Sequence, residues 1–296
     1  MRHTSLAKHA SADSNRRASW RAWIMLSPLL AWLILFVVAP TLILLVYSFC
    51  RRDEFGDIEY SFTWDNVRRA FRPLYLTILL RSTWYAMLST IICVVVGYPV
   101  AFFIGRASRR WRNLLLVLVM IPFWTSFLIR TYAWINILGD HGLINSLLLS
   151  AGLIATPLTI LYTWKAVVIG LTYSYLPFMI LPIYTSVEKL DQNLLDASAD
   201  LGANPWRTFW RVILPLTLPG ISAGVLLVFV PAVAMFAITD LMGGAKVPMI
   251  GNAIQTQFIG EANNWPFGAA LGMVLMLMFG VVYWLSGFVK SETVST

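Results

Sequence analysis

The sequence is poor in charge: 12% of its 296 residues are Asp, Glu, Lys or Arg, while 58% are apolar. That balance excludes a soluble domain of ordinary make-up. Together with thirteen Trp and a mean hydropathy of +0.72, it places the chain in a bilayer. Cysteine is scarce too. Cys50 falls at the end of an apolar run and Cys93 inside another, which excludes a disulfide framework and argues against a bridge. No Gly-Lys-Ser/Thr occurs, so Gly243-Gly244-Ala245-Lys246 is not a phosphate loop, and ATP hydrolysis by that route is excluded. The chain also lacks an HExxH pattern and any Cys/His cluster, so no metal-ligating set is expected. Only His141 lies outside the N-terminal arm. The net charge of +8 reads as loop arginines following the positive-inside rule, not as affinity for nucleic acid.

Long apolar runs make up most of the chain. Residues 1–22 read as a disordered basic arm carrying Arg2, Lys8, Arg16, Arg17 and Arg21. The run over about Trp23–Phe49 is too long for a signal-peptide core and has no small-residue cleavage site, so it reads as a retained span. A charged loop follows, with a short surface helix over Asp65–Phe71. Further spans are expected over about Ile78–Ile104, Leu114–Leu138, Leu158–Val187, Leu216–Thr239 and Phe267–Val289, with 290–296 as a tail. Six spans put both termini on one side. Thirteen Lys and Arg fall on that side and six on the other, which makes the termini cytoplasmic. The fold class expected is an all-α polytopic membrane protein whose six-helix bundle covers residues 23–289.

Between the fourth and fifth spans lies a polar island, Glu188–Pro215. Asp191 can cap a helix over Gln192–Leu201, and Gly202 supplies a left-handed stop. Asn204-Pro205 then restarts a helix with Pro at its first position. Leu190, Leu194 and Leu201 share one face of the first helix, and Trp206, Phe209, Trp210 and Ile213 gather on the second. The pattern fits a helix–turn–helix, with an ordinary cytoplasmic loop whose amphipathic helix lies on lipid as the lesser alternative.

Some residues invite a chemical role. Arg130 and Lys165 fall inside expected spans, where a charge costs about 2.5–3.5 kcal/mol on insertion scales. They either line a water-filled path or snorkel to the headgroups from positions near the span ends. Trp124, Tyr132, Trp134, Tyr173 and Tyr175 crowd the same outer halves. An interfacial aromatic belt accounts for several of them, and a lining for a cationic substrate accounts for them as well. Asp240 and Glu261 are either partners for an ammonium group or solvated loop carboxylates. Gly220-Ile221-Ser222-Ala223-Gly224 matches the nucleophile elbow of serine hydrolases, but it opens an apolar helix and not a strand–turn–helix. A small-xxx-small packing face is the better account, so no catalytic residue is assigned and an intramembrane hydrolase is a remote alternative. A single-chain secondary transporter should show an inverted repeat, and none is evident.

The island resembles the coupling loop of ATP-binding-cassette importer permeases, Glu-Ala-Ala-x3-Gly-x9-Ile-x-Leu-Pro. Asp196, Ala197 and Ser198 stand at its first three positions, Gly202 at the glycine, and Val212, Leu214 and Pro215 at its end. Asp for Glu, Ser for the second Ala and Val for Ile are departures that keep charge, size and shape respectively. The stretches from Ile121 to Trp134, from Thr239 to Lys246 and from Asn264 to Gly268 are similar to the first of the two permease subunits of spermidine/putrescine importers. The resemblance covers nearly the whole chain after residue 20. It implies the MetI-like fold of type I importers, with six spans in the bacterial inner membrane. The function implied is import of polyamines from periplasm to cytoplasm by alternating access. Another small organic cation, an amino acid or an opine is the alternative cargo. A second permease subunit, two copies of an ATPase and a periplasmic binding protein are the implied partners. This chain would bind no cofactor, with ATP and Mg held by the ATPase. Asp196, Ala197, Ser198, Gly202, Pro205, Leu214 and Pro215 would form the ATPase-coupling site.

Overall fold

The structure, a computed structural model, describes residues 26–53, 57–244, 246–260 and 262–292, with side chains described as far as residue 283. The basic arm expected over residues 1–22, Glu261 and residues 293–296 lie outside the described residues. The chain divides into two units, residues 1–70 with 263–296, and residues 71–262.

In the first unit an unbroken apolar run forms α1 (Leu26–Ser48), whose turn over Ile34–Val38 widens into a π-helix. The widening precedes Pro40, which has no N–H to continue the ordinary i→i−4 ladder. Trp32, Phe36 and their neighbours stand exposed on α1, as expected of a helix sheathed by lipid or another chain. Two short antiparallel strands follow, β1 (Arg51–Arg52) and β2 (Ile58–Glu59), with Arg51 opposite Glu59. The short helix expected near residue 65 is α2 (Asp65–Ala70). From it Asn66 donates to the carbonyls of Ser48 and Cys50, at 3.3 and 2.7 Å, satisfying backbone acceptors where α1 ends. Cys50 is buried there as a free thiol, and burial pushes its pKa up, which disfavours the thiolate. The last helix of the chain runs over Trp265–Glu292, past the expected start of the tail at residue 290. The Arg69 guanidinium of α2 lies 4.1 Å from the centre of its buried Phe267 ring.

The second unit is a helical bundle built on α3 (Pro73–Arg106), α7 (Trp164–Glu188) and α9 (Pro205–Ala234). Helix α7 is the central one. Ala166, Val167, Leu171, Met179 and Ile183 along it are all shut off from solvent. Small residues let its neighbours approach. A Cβ on Gly220 of α9 would come 2.5 Å from the Pro182 carbonyl, and one on Gly224 would come 2.7 Å from Met179 Sδ. The Gly220–Gly224 pair is therefore the packing face expected of small-xxx-small spacing. Its Ser222 donates to the Pro219 carbonyl one turn back in the same helix, at 2.9 Å. Several polar groups inside the bundle are paired, although the buried Thr172 hydroxyl of α7 has no hydrogen-bond partner. The hydroxyls of Tyr98 and Thr217 meet at 3.0 Å, and Ser82 accepts the Ile250 amide at 2.7 Å.

Three expected spans differ from what is observed. The third is broken into α4 (Arg109–Trp124) and α5 (Phe127–Leu138), bent by 92° where α5 and the helix after it are taken together. Thr125 and Ser126 are extended there, and the Thr125 hydroxyl donates to the Pro122 carbonyl, turning the chain away from the helix. The fourth begins at Trp164 and not at Leu158. The segment ahead of it is pinned by Asn145 of α6 (Leu143–Ser150), whose buried amide bonds both the N–H and the C=O of Leu158. The fifth ends at Ala234, and Thr239 sits instead on a separate helix, α10 (Ala237–Gly243). By length and composition five helices among the described residues are able to cross a membrane, and six if the bent pair counts as one passage.

Candidate coupling site and translocation residues

The polar island folds into two helices at a sharp turn. Asp191 caps α8 (Gln192–Asp200), accepting the Asn193 amide at 3.0 Å. At the other end the Gly202 amide donates to Ala199 and the Ala203 amide to Ser198, at 2.8 and 3.1 Å. This double bond pattern is a Schellman motif, and it holds Gly202 at φ +75°. Nothing lies within 4 Å of a Cβ built on Gly202, so the backbone and not the space demands glycine within this chain. Asn204 then caps α9, accepting the Arg207 amide at 2.8 Å, with Pro205 as the first helical residue.

Within α9 the turn over Phe209–Ile213 is a π-helix, closed by the Leu214 amide on the Phe209 carbonyl. It lies just ahead of Pro215, the same arrangement as at Pro40 in α1. Leu214 and Pro215 thus belong to the continuous helix and not to a separate loop. The buried Ser198 is the member of the motif that joins the two helices. Its hydroxyl donates to the Leu195 carbonyl at 2.7 Å and is hydrogen-bonded at 2.9 Å to the Thr208 hydroxyl. Ala cannot make that bond, so the departure from the family pattern at this position has a structural role.

Around the turn, apolar side chains point outward. Leu201 is 88% exposed and Trp206 69%, with Leu194 and Trp210 also exposed. Phe209 and Ile213 instead turn inward, Phe209 meeting Tyr98 edge-on at 5.5 Å, so the aromatic face expected on the second helix is split between core and surface. Trp206, Phe209 and Trp210 still pack on one another at 5.5–6.2 Å, Trp206 and Phe209 stacked and Trp210 edge-on to both. Asp196 and Ala197 are exposed on α8, and the Asp196 carboxylate accepts from Gln192 at 3.1 Å. An exposed Leu/Trp patch beside a carboxylate has the chemistry of a docking face.

The residues considered for a substrate path are only partly gathered. Trp134 and Tyr173 pack edge-on at 5.3 Å. The Arg130 guanidinium stands 5.4 Å from the Phe123 ring, which meets Phe178 at 5.1 Å, and Phe178 lies 6.2 Å from the buried Tyr175. Arg130 therefore bridges the elbow between α4 and α5. Lys165 lies exposed in the first turn of α7, at the helix end where snorkelling is open to it. Trp124 is 79% exposed and Tyr132 is also exposed. Asp240 accepts from Asn252 of α11 (Ile250–Phe258), whose amide also bonds the Phe236 carbonyl, the Thr239 hydroxyl and the Met249 amide. That hub, which ends α9 and orients α10, was not legible from the sequence, where Asn252 is one polar residue in a loop.

Residues 97–291 match the family described as binding-protein-dependent transport system inner membrane component. The spermidine/putrescine transport system permease protein PotB of Salmonella typhimurium (strain SL1344) is 44% identical, over 92% of this chain and 96% of that protein. PotB of Escherichia coli (strain K12) is 46% identical, over 88% and 95%. Among solved structures, a bacterial ABC transporter involved in the import of the acidic polysaccharide alginate shares the fold with a TM-score of 0.71. That match covers 95% of this chain and 99% of the other at 15% identity. The chain belongs to the family of inner-membrane components of binding-protein-dependent transport systems.

Proposed function

We propose that the chain is the permease subunit of an ATP-driven importer that moves spermidine and putrescine into the cytoplasm by alternating access. The cargo is supported by near-full-length similarity to PotB from two organisms. The transport role carries no chemistry of its own, and ATP and Mg are held by a separate ATPase. A second permease subunit, two ATPase copies and a periplasmic polyamine-binding protein complete the assembly, and both termini face the cytoplasm.

The observation that carries the mechanism is the turn at Gly202, with Leu194, Leu201, Trp206 and Trp210 exposed around it. In this reading the α8–α9 pair docks on the ATPase and transmits its closure to the bundle, rocking it between outward and inward states. The Ser198–Thr208 bond and the Phe209–Tyr98 contact make the turn rigid enough to push. Trp134, Tyr173, Tyr175, Trp124 and Tyr132, with Asp240 and Glu261, supply ring faces and carboxylates suited to an ammonium group. Arg130 is assigned to the same outer region but to the elbow, since its charge repels a polycation.

The test is uptake of labelled spermidine and putrescine in cells with and without the chain, lacking any second polyamine importer, challenged by excess unlabelled amino acids. Deletion is expected to abolish polyamine uptake that the amino acids leave unaffected. Unchanged uptake on deletion contradicts the cargo.

A further inference from the structure

The arginines around the α3–α4 corner do more than carry positive charge. Helix α4 opens with Arg109, Arg110 and Arg112, at the end of a helix where its dipole disfavours cations. Arg112 has a partner that explains its place. Its Nη1 donates to Glu188 Oε1 at 2.6 Å, while Nη2 donates to the carbonyls of Gly105 and Ala107 at 3.3 and 3.4 Å. Glu188 is the last residue of α7. The approach depends on Gly105, where a Cβ would lie 2.6 Å from Val187 Cγ1.

A second contact lies beside the first. Arg106, the last residue of α3, donates from Nη1 to Gln192 Oε1, and Gln192 opens α8. Gln192 in turn donates from Nε2 to Asp196, the acidic residue that begins the coupling motif. Residues 189–191, which join α7 to α8, are thus flanked by Glu188 and Gln192, each held by an arginine of the same corner.

We propose that Arg112 and Arg106 act as positioning residues for coupling, a strut that makes α8, the end of α7 and the α3–α4 corner move as one body. The proposal rests on the coupling reading of the Gly202 turn. The Gly202 turn and the Ser198–Thr208 bond tie α8 to α9, but on the α7 side it is joined to the bundle by the connection 189–191, and a push on the docking face would flex that hinge. The arginine contacts remove the hinge and deliver the push to α3 and α4. Partly exposed ion pairs (side chains 26% and 40% exposed) add little stability, so what this pair contributes is direction. A guanidinium suits the task because its fixed fork holds a carboxylate and two carbonyls at once.

The test uses the complete transporter in liposomes with its ATPase and binding protein, and reads labelled spermidine moved per ATP hydrolysed. Arg112→Glu and Glu188→Arg are each expected to lower that ratio about threefold or more, and the double exchange to recover at least about half of it, as coupled neighbours do. A ratio unchanged in both single variants, or a double exchange no better than the singles, overturns the strut. Should Arg112→Glu not accumulate in the membrane, Arg112→Gln removes the charge while leaving an uncharged amide donor. It is expected to lower the ratio by a smaller factor, and an unchanged ratio again overturns the proposal. Gly202→Val is measured alongside. Normal uptake by that variant removes the coupling reading itself, whereas lost uptake there with unaffected arginine variants removes the strut alone.

Discussion

At the scale of single residues, the chain relies on a few positions where backbone geometry or a buried amide admits one solution. Gly202 is one. A β-branched side chain at φ +75° costs about 1–2 kcal/mol, while Asn tolerates the left-handed region. Gly202→Val is therefore expected to insert normally but lose transport, and Gly202→Asn to retain most of it, with membrane content checked by immunoblot. Asn145 is another such position. It is shut off from solvent and donates to Gly139 and Leu158 while accepting from Leu158, all at 2.8–3.0 Å. Asn145→Leu strands these backbone groups, each at about 1–3 kcal/mol, and should lower the thermal stability of the detergent-solubilised chain. Melting followed by tryptophan fluorescence measures this, and an unchanged midpoint contradicts the pinning role.

At the scale of elements, proline and glycine set where helices bend and how closely they pack. Two π turns, at Ile34–Val38 and Phe209–Ile213, each sit just before a proline, at Pro40 and Pro215. The Gly220–Gly224 face predicts a contrast inside one five-residue motif. Gly220→Leu collides with the Pro182 carbonyl and Ser186 of α7 and is expected to reduce stability by at least about 1–3 kcal/mol. Ser222→Ala removes only a hydroxyl bonded within its own helix turn and should leave uptake unchanged. Loss of uptake in Ser222→Ala would revive a catalytic role for that serine.

Much of this level was legible in the sequence. The caps at Asp191 and Asn204 and the left-handed Gly202 are local signals, and all three stand where their chemistry places them. The breaks at Thr125, before Trp164 and after Ala234 were missed. Hydropathy records how apolar a stretch is, but the break at Thr125 is made by its own hydroxyl turning back to Pro122, and the other two by polar groups reaching across the chain, Asn145 to Leu158 and Asn252 to Phe236. The pairing of Arg112 with Glu188 was equally hidden, because 76 residues separate them and a loop arginine already has an explanation in membrane topology.

At the scale of the whole molecule, the chain has the parts of a transducer and not of an enzyme. An exposed Leu/Trp turn at α8–α9 is joined to a bundle packed around α7, and aromatic pairs link α7 to α4 and to α5. In the proposed reading the chain moves substrate only when a partner pushes on the turn. The account predicts that uptake stops when the ATPase is removed although the chain remains in the membrane. Uptake persisting without the ATPase would instead indicate a secondary transporter.

The central claim is that the Gly202 turn couples ATP hydrolysis elsewhere to movement of cargo through this chain. Its most direct test compares spermidine uptake and ATP hydrolysis by the reconstituted transporter carrying Gly202→Val with those of the Gly202→Asn form. The account predicts that the Val form loses uptake while the Asn form keeps most of it. Uptake at the wild-type level in the Val form, or equal loss in both, would contradict it.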